Sequence, residues 1–201
     1  MLRASRLAAL ALACMTGAAE AQRADRPDVS VGDRWDFVVY HAIPSSTPNR
    51  TWVITSTSPE RIDGTENGDP LVLTRELNVV DSPRYSDSTP QALTFPLEVG
   101  KRWRYASDWV FKPKNSKGSS VVDVTVVSHE AVRVPAGEFA AFRLVATSRI
   151  RGISGINSVI DAEVTTTYWY APAAHAIVKS VSQHPYLGPS TVELVHFQLR
   201  R

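Results

Sequence analysis

The sequence predicts an all-β protein: a curved antiparallel sheet or incomplete barrel built from two related halves. Three observations carry that expectation. Apolar residues alternate with polar ones over most of the chain. Prolines fall mainly in the gaps between the alternating runs, as expected of a residue that cannot donate to a sheet ladder. One short aromatic motif occurs twice.

The 201 residues open with a three-part secretory leader. Arg3 and Arg6 give a positive start, Leu7 to Ala13 is an apolar run, and Ala19-Glu20-Ala21 supplies small residues at a cleavage site after Ala21. The run is too short to span a bilayer, which needs about 20 such residues. Cys14 follows it, but the large aliphatic residue of a lipid-attachment signal stands one place late, at Leu12. Export to a periplasmic or secreted location is therefore expected. The mature part, 22–201, is then a single soluble β-rich domain without cysteine or disulfides. Its formal charge is about +1 with no basic block, which argues against nucleic acid as a partner.

Strands are expected at 33–41, 51–58, 71–79, 102–112, 121–132, 139–150, 162–170, 175–183 and 190–199. In Trp35-Asp36-Phe37-Val38-Val39 the odd positions are the large apolar ones, and in Val122-Asp123-Val124-Thr125-Val126 the even ones are all Val. Such runs suit a half-buried pleated surface. Turn clusters separate them: Pro44 to Pro48, Asp63-Gly64, Asn67-Gly68, Pro113 to Ser120, Gly152 to Ser158 and Pro185 to Pro189. Asp81 to Gln91, polar with two prolines and three serines, reads as an internal linker.

The repeated motif is Val31-Gly32-Asp33-Arg34-Trp35-Asp36-Phe37 and Val99-Gly100-Lys101-Arg102-Trp103-Arg104-Tyr105, at an offset of 68 residues. Each reads as an entry glycine, a wet charged pair, and two aromatics aimed at one face. The expected halves are 31–80 and 99–150, with additional strands over 162–199.

The second copy, then Val132-Arg133-Val134-Pro135-Ala136-Gly137-Glu138-Phe139 leading to Phe142-Arg143, then Tyr168-Trp169-Tyr170-Ala171-Pro172 leading to Ile177-Val178-Lys179, form a series that resembles the TapB-like exported bacterial β-proteins of unknown function. The likeness covers about residues 95–183, and 31–37 extends it weakly. It implies a strongly curved antiparallel sheet of the kind that holds or passes apolar cargo in the envelope, and it carries over no catalytic residue. One departure is Ala174-His175-Ala176-Ile177, where the series has a glycine before the aliphatic pair.

Catalytic motifs are missing from the sequence. His41, His129, His175, His184 and His196 are scattered without ligand spacing. There is no nucleophile elbow, phosphate cradle or dinucleotide fingerprint. Asp33 and Asp36 fall on opposite strand faces, while Asp161 and Glu163 share one and read as solvated edge charges. No catalytic residue, metal site or cofactor is expected. The expected function is a non-enzymatic exported binding or carrier module for an apolar or amphipathic envelope ligand, a small molecule or lipid, with Trp35, Phe37, Trp103, Tyr105 and Trp109 lining an internal cavity. The alternative is an interaction protein of an envelope or pilus-type assembly, contacting a protein partner through exposed Trp169 and Tyr170.

Overall fold

The computed structural model describes residues 23–41, 49–185 and 188–200. The expected leader and Cys14 lie outside these residues. The strands are β1 (Arg23–Ala24), β2 (Arg34–His41), β3 (Asn49–Thr57), β4 (Arg61–Glu66), β5 (Asp69–Thr74), β6 (Val79–Asp81) and β7 (Tyr85–Asp87). They continue as β8 (Leu97–Glu98), β9 (Arg102–Phe111), β10 (Ser116–Val134), β11 (Gly137–Ile153), β12 (Val159–Ala171), β13 (Ala176–His184) and β14 (Gly188–Gln198). Single 3₁₀ turns at Lys112–Lys114 and Pro172–Ala174 join β9 to β10 and β12 to β13. No helix among the described residues is long and apolar enough to cross a membrane.

Twelve of these strands form a closed antiparallel barrel. Nearly every strand pairs with its sequence neighbour, and β14 returns to β2, with Val192 opposite Val39 and Phe197 opposite Trp35. Closure removes the exposed edges that an incomplete barrel would leave. The two remaining described strands, β1 and β8, stand outside the circuit and pair with each other.

The two motif copies build the same corner. Gly32 and Gly100 take φ of +90° and +93°, a region in which a side chain is strained. Each then donates its N–H across the sheet, Gly32 to the Ile54 carbonyl and Gly100 to the Val126 carbonyl, both close to 2.9 Å. The equivalence is therefore local geometry as well as residue type.

The interior is divided. On one side Leu93, Phe95 and Leu97, from the segment between β7 and β9, plug the barrel against Val122, Val124, Phe142, Leu144 and Tyr170. Each fully buried aliphatic side chain there stabilises by roughly 1.5–3 kcal/mol. A bulge between Val126 and Ser128 reverses which face of the β10–β11 hairpin is buried. Beyond it Val132, Val134 and Phe139 pack in a second cluster with Trp35, Phe37 and Leu194.

Three expectations change. Asp63-Gly64 is not a turn: β4 runs through it, and a Cβ on Gly64 would lie 2.5 Å from the Val53 carbonyl oxygen, so the missing side chain lets β4 and β3 close up. The expected strand 71–79 divides into β5 and β6. Asp81 to Gln91 is not a free linker, because β7 lies inside it and pairs with β9.

Candidate functional site

Inward-facing positions of the barrel surround a cavity of about 700 Å³, within the range typical of small-molecule sites. Its aromatic wall comes from Trp35 and Phe37 on β2, Trp52 on β3, Tyr85 on β7, Tyr105, Trp109 and Phe111 on β9, and Tyr168 on β12. Trp35 is anchored from the side: its Nε1 donates to the Ala174 carbonyl at 2.7 Å. Phe37 and Trp52 meet edge to face, ring centroids 5.5 Å apart. Pro90, Ala92 and Leu93 of the plug line one boundary.

The polar groups of the wall are specific. Asp87 on β7 is buried and accepts hydrogen bonds from the Ser107 hydroxyl, the Thr89 N–H at 3.1 Å and the Tyr85 hydroxyl at 3.3 Å. Burial first, and the Asp87 charge next, push the Tyr85 phenol far above its ordinary value. Tyr105 and Tyr168 are raised chiefly by burial too, so all three phenols stay protonated and neutral. Arg50, opposite Phe37 in the β2–β3 ladder, is half-buried in the wall. Burial and the neighbouring Arg84 work against its charge, while Glu66 favours it. A guanidinium remains charged regardless.

The chain direction assigns the two ends. The C-terminal end of β2, the N-terminal ends of β3 and β14, the β4–β5 and β11–β12 turns and the Lys112–Lys114 turn all lie at one end, where Lys114, Ser154 and His184 line the cavity. Leu77, Asn78 and His175 line it toward the other. Two polar atoms on lining residues are buried and lack a hydrogen-bond partner: Trp109 Nε1 and His175 Nδ1. His175 also has φ of +50°, in the left-handed region.

No family model matches the chain, and no curated protein does. Among solved structures, one of a Bacteroides fragilis protein, assigned as exported and described as having a YmcC-like fold, superposes with a TM-score of 0.56 at 16% identity, covering 87% of this chain and 99% of that one. The likeness is one of fold. A Parabacteroides distasonis protein assigned as a lipoprotein gives 0.53 at 12% identity, with the same coverage of 87% and 99%. The hypothetical lipoprotein YmcC of Escherichia coli gives 0.48 at 11%, covering 83% and 85%. The comparisons do not carry the TapB-like resemblance. They support a coarser likeness, to YmcC-like structures of proteins assigned as exported or as lipoproteins.

Within the barrel, Trp35, Phe37, Tyr105 and Trp109 line the cavity and Trp103 does not. Trp103 sits beside the plug, its Nε1 donating to the Gln91 carbonyl at 2.7 Å and Lys101 Nζ 5.5 Å from its ring. Trp169 and Tyr170 are not an exposed pair. A bulge between them separates their environments, and Tyr170 is 1% exposed against Phe95. Trp169 is half-buried, with its Nε1 donating to Glu130 at 2.9 Å and Lys179 above its ring. Arg50, Trp52, Tyr85, Asp87, Phe111 and Tyr168 are among the site residues that sequence reasoning missed. Arg50 did carry a signal, since it shares a strand face with Trp52.

Proposed function

We propose that this protein is a non-enzymatic binding or carrier module of the cell envelope that takes an apolar or amphipathic molecule into its barrel. The observation that carries this reading is the cavity of about 700 Å³, whose mostly apolar wall includes eight aromatic side chains. An envelope location is supported by the leader-like first 21 residues and by the assignment of YmcC-like structures as exported proteins or lipoproteins. A non-catalytic role is supported by the separation of the lining histidines: His175 and His184 stand at opposite ends of β13, about 30 Å apart at strand rise.

Native mass spectrometry of the protein purified from its own envelope fraction tests the reading. An added mass that dissociates as a lipid or other small molecule supports it, and a bare chain that also fails to take up apolar probes refutes it. A second reading, a contact protein of an envelope assembly, is favoured by the β11–β12 tip, where Ile156 and Val159 are 86% and 83% exposed. In-cell crosslinking from Ile156 to a single envelope protein would support that alternative.

A further inference from the structure

We infer that the ligand is an amphipathic anion, its acidic head held by Arg50 and its apolar chain in the aromatic cavity. This rests on the carrier reading above. Burying a cation is costly unless a partner compensates it. Arg50 lines the cavity half-buried, yet it forms no ion pair with a carboxylate of the described residues. Instead it lies near a second guanidinium, Arg84, which is stacked 6.0 Å from the ring of cavity-lining Phe111 and also forms no ion pair among the described residues. Lys114 lines the same end and forms none either.

Of the nearby acids, Glu66 favours the Arg50 charge more than Arg84 opposes it, but no acid among the described residues forms an ion pair with Arg50. Glu66 is buried and occupied by Trp52 Nε1 at 3.0 Å, beyond ion-pair reach of Arg50. Asp87 is occupied by Ser107, Thr89 and Tyr85, and Asp81 is paired with Lys112 at 2.6 Å. A guanidinium presents forked donors that fit a carboxylate or phosphate, and the adjacent aromatic surface fits only an apolar chain. Together they select a molecule carrying both.

Equilibrium binding of four probes to the full chain, expressed with its leader and purified from the envelope fraction, decides the matter: dodecanol, dodecanoate, dodecyl phosphate and inorganic phosphate. The expected result is that an anionic dodecyl probe binds about tenfold or more tighter than dodecanol, the scale of one charge-assisted pair. Arg50→Gln should abolish that preference, weakening the anions far more than dodecanol, while Lys117→Gln, outside the cavity, should leave the preference unchanged. Equal binding of dodecanol and the anions, or a preference that survives Arg50→Gln, overturns the anionic head and leaves the carrier reading standing. Inorganic phosphate binding as tightly as dodecyl phosphate overturns the amphiphile. Failure of all four to bind overturns both readings.

Discussion

Replacing Gly118 by alanine should unfold the cavity end of the barrel. Gly118 and Gly152 face each other in the β10–β11 ladder. A Cβ built on Gly118 falls well inside contact distance of the Arg151 carbonyl oxygen and 2.6 Å from Gly152 Cα. Both obstacles are main chain, so no rotamer change relieves them. Carbon contacts are comfortable at about 3.5–4.0 Å, so the strands must part by about 1 Å. Parting them weakens about two ladder hydrogen bonds at ~0.5–1.5 kcal/mol each. The overpacking itself adds ~1–3 kcal/mol. The total, about 2–6 kcal/mol, is a large share of the ~5–15 kcal/mol that holds a typical domain folded. Gly100→Ala is the control: φ there is +93° but a Cβ meets nothing within 4 Å, so only the left-handed backbone penalty of about 1–2 kcal/mol applies. Urea unfolding followed by tryptophan fluorescence gives both costs from the midpoints. A Gly118→Ala midpoint equal to or above that of Gly100→Ala would refute the steric argument.

Trp35→Phe removes the buried bond to the Ala174 carbonyl and should cost about 1–3 kcal/mol in the same urea assay, against less than half of that for Trp103→Phe at its half-exposed site. Lys101→Met should cost about 1.5–3 kcal/mol and raise hydrogen exchange over residues 93–97, because Lys101 Nζ ties the plug through the Thr94 and Pro96 carbonyls at 2.5 and 2.8 Å. For Asp36, burial pulls its pKa up, but hydrogen bonds from Arg34 at 2.8 Å and Thr51 at 2.6 Å outweigh it and hold the carboxyl below its ordinary value. A depressed carboxylate adds stability above its unfolded pKa, roughly 3.9, that is lost as pH falls through the folded one. The urea midpoint of the wild type should therefore drop more steeply below about pH 4 than that of Asp36→Asn, and parallel acid limbs would contradict this assignment.

The strand pattern was legible wherever one face is buried and the other wet, as at Trp35 to Val39 and Val122 to Val126, because burial imposes the period of two. It was illegible at β4, where Asp63-Gly64 mimics a turn, and at β6 and β7, which are three residues each and too short to display a period. Closure was not readable either, because alternation gives the inward face of β14 but not its partner. Trp103 illustrates the limit at the site. It shares parity with Tyr105 and Trp109, yet the plug residues around Gln91, far off in the pattern, take its place at the cavity wall. Tyr170 illustrates another limit, since a bulge after Trp169 changes which way it points.

The pairing of β14 with β2 also sets an order of events. Ten of the barrel strands lie between these two in the chain, and Arg200 N–H reaches back to Asp33 at 2.6 Å across the same seam. Until β14 is delivered, β2 and β13 are raw edges and the aromatic lining opens sideways into solvent. The container is therefore sealed by a late-synthesised strand. A chain stalled before residue 188 would present a sticky, half-built trough to its surroundings, and a cell would gain by having its chaperones or proteases recognise that trough.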